Sequence, residues 1–263
     1  QSHFRHAAEL VQNGCIGNVH TVEVSLPTGN GDFGEGTMGE EAPETPPKTL
    51  DYDRWLGPAP KAPYCPARVH KTWRWILDYG GGQLMDWVGH HVDIAHWGLN
   101  ITDNGPLELE AVGQYPPTGL WNAPVKYHIE AKYPKNIKMI IDGGMAPIKS
   151  GTKWIGDEGW VWVNRSGIDA SDKRLLRKKF GPNDINLYHS PGHVREFVDC
   201  VKSRKETLTP CEVAHRSASP GHLGLVSMKL KRKLRWDAKN EIVIDDPEAQ
   251  SLLSNAMRSP WHI

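Results

Sequence analysis

LELEAVGQY (107–115), VKYHIEAKY (125–133), IKMIID (137–142), GTKWIG (151–156), WVWVN (160–164) and IDAS (168–171) follow one another with only short breaks. Each alternates apolar with polar side chains, or carries a dense run of β-branched and aromatic residues. Gly, Asn, Asp or Pro separates them. A period of two bounded by turn formers predicts a largely antiparallel sheet. The flanks have a different texture. FRHAAELVQN (4–13) has helical spacing and stops at Gly14, a good helix terminator, and Val19–Leu26 alternates as a further strand. Residues 27–49 read as loop, LDYDRWLG (50–57) as a short helical turn, and 58–72 as a proline-rich connection. A helical run covers 83–99. The last third returns to helix at 194–203, 212–231 and 247–253, with Pro220 expected to kink or divide the middle one. The expectation is an α+β fold, an open and mainly antiparallel sheet with helices on one face.

The chain has 263 residues, with 31 Lys plus Arg balancing 31 Asp plus Glu. That balance argues against a nucleic-acid binder. No stretch of 18 apolar residues exists, so no membrane-spanning helix is expected. Cys15, Cys65, Cys200 and Cys211 are scattered and form no C-x-x-C pair, which predicts neither a zinc knuckle nor a disulfide framework. Eleven tryptophans suit cores, interfaces and sugar rings alike. The chain begins with Gln rather than Met, which reads as a processed product or a fragment.

PTGNGDFGEG (27–36) contains Gly29-x-Gly31-x-x-Gly34 after a strand, the spacing of a dinucleotide-binding turn. That turn works only when a helix follows and offers its N-terminus to the pyrophosphate. Here Pro43, Pro46 and Pro47 follow, among Asp32, Glu35, Glu40, Glu41 and Glu44. No helix is expected, and the local charge repels a diphosphate. The match reads as coincidence within an acidic loop.

The densest reactive stretch is GGGQLMDWVGHHVDIAHW (80–97). On a helix, Asp86, His90, Asp93 and Trp97 fall on one stripe by the i+4, i+3, i+4 rule. A carboxylate one turn before a histidine can orient the ring for proton transfer near neutral pH. The bland alternative is a set of polar residues bracing a helix. His90, His91, Asp93 and His96 are each possible metal ligands. They point in different directions around the 3.6-residue period, so no metal site is expected.

WRWILDYGGGQLMDWVGHHVDIAHWGL (73–99) resembles the signature of the Gfo/Idh/MocA oxidoreductases, relatives of glucose–fructose oxidoreductase and inositol dehydrogenase. The resemblance extends through FRHAAELVQNGCIGNVHTVEV, GDEGWVWVNR and the closing segment from His193 to Asp237. It implies that residues 1–17 form the link from a Rossmann domain and that 18–263 form a single substrate and catalytic domain. It implies hydride transfer between NAD(P) and a carbinol carbon of a sugar or cyclitol. His90 would be the acid/base, with Asp86 orienting it and Asp93 as a further carboxylate. Trp73, Arg74, Trp75, Asp78 and Tyr79 would contact the sugar. It also implies oligomers paired through the sheet. The ending MRSPWHI fits a branch found in glycan-degrading bacteria, which implies a bacterial cytoplasm, or a periplasm after export.

The departure is that these residues include neither a Rossmann domain nor the family's Glu-Lys-Pro lysine. Alone, the chain is not expected to bind NAD(P), and a Rossmann-domain partner is implied. Without that partner, the first helix is expected to expose an apolar face. Two other readings stand beside this one. One is a cofactor-independent glycoside hydrolase or lyase using Asp86, His90 and Asp93, a reading that a bound divalent metal would strengthen. The other is a non-catalytic sugar-binding or oligomerisation module.

Overall fold

The structure is a computed structural model and describes residues 2–29, 42–101 and 104–261. Its centre is a sheet of nine strands: β1 (Val19–Ser25), β2 (Glu108–Gln114), β3 (Lys126–Tyr133), β4 (Ile137–Gly143), β5 (Gly151–Gly156), β6 (Gly159–Asn164), β7 (Gly167–Ala170), β8 (Leu234–Asp237) and β9 (Ile242–Val243). Their spatial order is β7-β6-β5-β1-β4-β3-β2-β8-β9. The alternating segments that predict strands form β2 to β7. All their pairings are antiparallel, as short connections between consecutive strands require. One pair is parallel: β1 inserts between β5 and β4 and runs alongside β4, with Val22 opposite Met139. The α+β fold with an open, mainly antiparallel sheet is the one the alternation implies.

The helices are α1 (Ser2–Gln12), α2 (Tyr52–Leu56), α3 (Gly82–Leu99), α4 (His193–Ser203), α5 (Cys211–Leu230) and α6 (Pro247–Ser251). Helix α3 packs between α1 and α5 and lies across β1 and β5. Its apolar side chains Leu84, Val88, Val92 and Ala95 are fully buried against Val22, Val24 and Trp154 of the sheet. On the other sheet face, Glu23 meets Lys153 at 3.6 Å and Glu130 meets Lys138 at 2.8 Å. This in–out division is why the strands alternate.

Two expectations require correction. Helix α1 does not expose an apolar face. Phe4, Ala7, Ala8, Leu10 and Val11 are all buried, because α1 packs on α3, β6 and β7 within this chain. The exposed apolar face belongs to α4, where Val194 and Phe197 are 70% and 62% exposed. Nor does Pro220 divide α5, which runs unbroken from Cys211 to Leu230. Packing holds the helix together through the lost hydrogen bond. A Cβ on Gly221 would lie 2.7 Å from the Met85 sulfur, and one on Gly224 would lie 2.5 Å from Ile129, so α5 is pressed onto α3 and the sheet there.

A smaller core sits beside the main one. Cys65, Ala67, Trp75, Ile76, Trp121 and Ala123 form it. The backbone N–H groups of Asn122 and Ala123 both donate to the Trp75 carbonyl, at 2.9 and 3.0 Å. The Leu77 N–H donates to Asn122 Oδ1 at 2.7 Å. These bonds pin residues 73–79 to the β2–β3 connection.

Candidate active site

The glycines before α3 decide where residues 73–79 go. A Cβ on Gly80 would strike the Arg74 carbonyl oxygen at 2.7 Å, and Gly82 adopts φ +64°. Both features favour glycine. The chain therefore folds back over the start of α3 and lays Arg74 beside Asp86, Nε to Oδ2 3.2 Å. The Arg74 guanidinium also lies 5.1 Å from the Trp73 ring centre.

This fold-back makes one wall of a cavity of about 850 Å³. Trp73, Arg74, Asp78, Tyr79 and Asp86 line it, opposite His222, Leu225 and Lys229 of α5 and residues 252–255. The size and mixed lining suit a small polar ligand. Trp75 does not share this cavity. It is 2% exposed and packs in the smaller core, because two steps along a 3₁₀ turn carry it to the inner side while Trp73 stays outside.

The expected stripe is real and faces outward. Asp86 and His90 are exposed, and Asp93 and Trp97 half-buried, on the side of α3 away from the sheet. Asp86 reaches the cavity; His90 and Asp93 continue the stripe beyond it. Burial first, then the nearby Arg165 charge, pushes the His90 imidazole below its usual value, and Asp86 opposes them. Burial raises the Asp93 carboxyl to about 6. An imidazole kept neutral can accept a proton, and a carboxyl near 6 can donate or accept one at neutral pH.

His91 and His96 lie on the inner side. His91 stacks on Trp87 with ring centres 6.1 Å apart, and His96 Nε2 shares a 2.9 Å hydrogen bond with the buried Tyr133 hydroxyl. Burial pushes both imidazoles down to about 4. The four residues that could have gathered a metal thus diverge. Among the described residues, no three His, Cys, Asp or Glu side chains converge as ligands. All four cysteines are free. No helix among the described residues is long and apolar enough to cross a membrane.

Gly31 and Gly34 lie outside the described residues. Gly29 packs closely instead: its N–H donates to the Val125 carbonyl at 2.7 Å, and a Cβ there would meet Val125 Cα at 2.9 Å. Described chain resumes at residue 42 without helix until α2.

Sequence reasoning misses Trp87, Arg165 and His222. Trp87 sits edge-on to His90 with ring centres 5.4 Å apart, and Arg165 lies over Trp87. Arg165 comes from the β6–β7 turn and His222 from α5, so only tertiary structure brings them to α3.

Among curated proteins, none matches the sequence. Solved structures with this fold include the aldose-aldose oxidoreductase from Caulobacter crescentus, at TM-score 0.56 and 14% identity, covering 89% of this chain and 61% of that one. The WlbA dehydrogenase from Bordetella pertussis, solved with NADH and UDP-GlcNAcA, has TM-score 0.53 and 14% identity over 90% of this chain and 60% of its own. An NAD-binding protein from Listeria innocua has TM-score 0.53 and 14% identity over 88% and 59%. At such identity the likeness concerns the fold alone, and this chain spans about three fifths of their length. The family match is direct: residues 2–263 fit the C-terminal alpha/beta domain of an oxidoreductase family. The chain belongs to the Gfo/Idh/MocA oxidoreductases, as their C-terminal domain.

Proposed function

We propose that this chain supplies the substrate site and the proton-transfer group of a sugar oxidoreductase. The observation that carries the reading is the outward stripe of α3, which starts at Asp86 in the 850 Å³ cavity and continues to His90 and Asp93. Trp73 and Tyr79 offer ring faces to a sugar, and Arg74 and Asp78 offer hydrogen-bonding groups. His90, held neutral, takes the hydroxyl proton as the carbinol is oxidised, and returns it in the reverse direction. NAD(P), bound by a nucleotide-binding unit joined to this one, would take the hydride. Asp86 is ion-paired to Arg74 and so braces the approach loop rather than the His90 ring. We also infer pairing of copies through the sheet face opposite the helices, which the described residues leave uncovered. Sedimentation at micromolar concentration reads this directly, and a monomer there speaks against it.

The raised Asp93 carboxyl favours a second reading, a general acid in cofactor-independent glycoside cleavage. Its geometry is poorer. Asp86 and Asp93 are seven residues apart, a rise of about 10.5 Å along the helix. Paired carboxylates of glycosidases stand about 5 to 9.5 Å apart.

Calorimetric titration of the chain with NAD, NADP and a panel of sugars and oligosaccharides tests the proposal. Sugar binding without nucleotide binding, weakened at least tenfold in Trp73→Ala and in His90→Ala, is expected. Tight nucleotide binding by the chain, or sugar affinity indifferent to both substitutions, overturns it.

A further inference from the structure

Arg165 occupies the turn between β6 and β7. Asn164 ties that turn: its Oδ1 accepts from the Ser166 N–H at 2.8 Å, the Ser166 hydroxyl at 2.6 Å and the Gly167 N–H at 3.2 Å. The tied turn sends Arg165 across to α3, where its guanidinium carbon lies 5.0 Å from the centre of the Trp87 ring. The same ring meets His90 edge-on at 5.4 Å. One tryptophan therefore holds an arginine and the candidate base together.

This arginine differs from the others near the site. Arg74 has Asp86 at 3.2 Å. Among the described residues, no carboxylate stands within 4.0 Å of the Arg165 guanidinium, and the residue is exposed. Stacking on tryptophan holds a guanidinium by its face and leaves its N–H edges free. Those edges form a planar fork that suits two oxygens of one carboxylate or phosphate. Its charge also acts on His90 and His91, helping to keep both neutral.

The geometry points to Arg165 as the anchor for an oxyanion carried by the ligand of this site, which makes a sugar acid or a sugar phosphate the preferred class over a neutral sugar. The inference rests on the proposed substrate site at α3. A carboxylate or phosphate on Arg165 would lie beside Trp87 and set the rest of the sugar along the stripe toward Asp86. A purely structural arginine, there only to cover Trp87, would give no such preference.

The test is calorimetric titration of the full 263-residue chain with glucose, glucuronate, glucose 6-phosphate and inorganic phosphate. Glucuronate or glucose 6-phosphate is expected to bind at least tenfold more tightly than glucose. The two arms show which oxyanion is meant, and inorganic phosphate shows whether the sugar is needed. Arg165→Gln should erase the preference while keeping the affinity for glucose, and Arg165→Lys should restore part of it. The His90 titration, followed by NMR, should move upward in Arg165→Gln. An unchanged ratio of charged to neutral sugar in Arg165→Gln, with glucose still bound, overturns this inference and leaves the substrate site standing. Failure of every sugar to bind removes the site and this inference with it.

Discussion

Asp86 pairs with Arg74, 3.2 Å away on the fold-back loop, rather than with His90 one turn along the same helix. Spacing places Asp86 and His90 on one face, but a carboxylate takes the partner that reaches it. The consequence is a division of labour. Asp86 ties the cavity wall to α3, and its charge reaches His90 only through space, against burial and Arg165.

Asp86→Asn separates these two effects. Removing the charge removes the influence that raises the His90 imidazole, so its titration should move further down. Both ion-pair side chains are about a third exposed, at 34% and 35%. Solvent screens such a pair, and the loss of stability should stay within about 1 kcal/mol. NMR titration of the His90 ring and a urea melt read the two separately. An upward shift of His90 would contradict the charge arrangement described here.

Acid should destabilise the fold through His91 and His96. They are 5% and 1% exposed, and each titrates near 4 when folded against 6.5 when unfolded. Between those values the unfolded chain holds more protons. The stability of the neutral forms is present above about 6.5 and is lost as pH falls toward about 4. Burial also lowers His90 and His222, which act in the same direction. Asp93 acts in the opposite direction. Raised to about 6 from 3.8, it holds an extra proton in the folded state, so acidification across that window favours folding. Asp93→Asn should therefore steepen the acid limb by up to about 1.4 kcal/mol per pH unit. Denaturant melts from pH 7 to pH 4 measure the slope. A shallower slope in the variant would refute the assignment.

Helix α3 and the strands were legible because each rests on a local period. Eighteen residues with apolar groups on one side must place Leu84, Val88, Val92 and Ala95 together, and the outward stripe follows by exclusion. Long-range pairing was not legible. Nothing within Val19–Ser25 says that its partner is β4 or that the two run parallel. Trp73 and Trp75 look equivalent in sequence, and only the tight turn separates a cavity wall from a core residue. Arg165 reads as an ordinary turn residue between Asn164 and Ser166. The register of β6 with its neighbours carries it to Trp87.

Gly98 should not tolerate a methyl group. A Cβ there would come within 2.6 Å of the Trp154 ring, whose Nε1–H donates to the Ala95 carbonyl at 3.2 Å. The ring is fully buried between α3 and β5 and cannot yield without moving one of them. Gly98→Ala should cost about 1–3 kcal/mol by overpacking, although alanine favours the helix itself. Thermal or urea unfolding gives the value. A stabilised variant would mean that α3 sits further from β5 than described.

Helix α4 should add an apolar contact of its own to the association of this chain, apart from the sheet face. Val194, Phe197, Val198 and Val201 are 70%, 62%, 40% and 48% exposed on an 11-residue helix. Its buried Glu196 accepts from the Leu208 N–H at 2.6 Å, which fixes the helix with its apolar side turned outward. An apolar surface of this kind binds hydrophobic dyes and attracts other molecules. Phe197→Ser with Val201→Ser should lower the fluorescence of a bound naphthalene-sulfonate dye and reduce any α4-dependent self-association seen in sedimentation. The side chains touch little, so each substitution should change unfolding stability by no more than about 0.5 kcal/mol. The two measurements together decide the matter. Lower dye binding at unchanged stability identifies α4 as the exposed apolar surface. A fall in stability shows that α4 packs against this domain, and its apolar face is then internal.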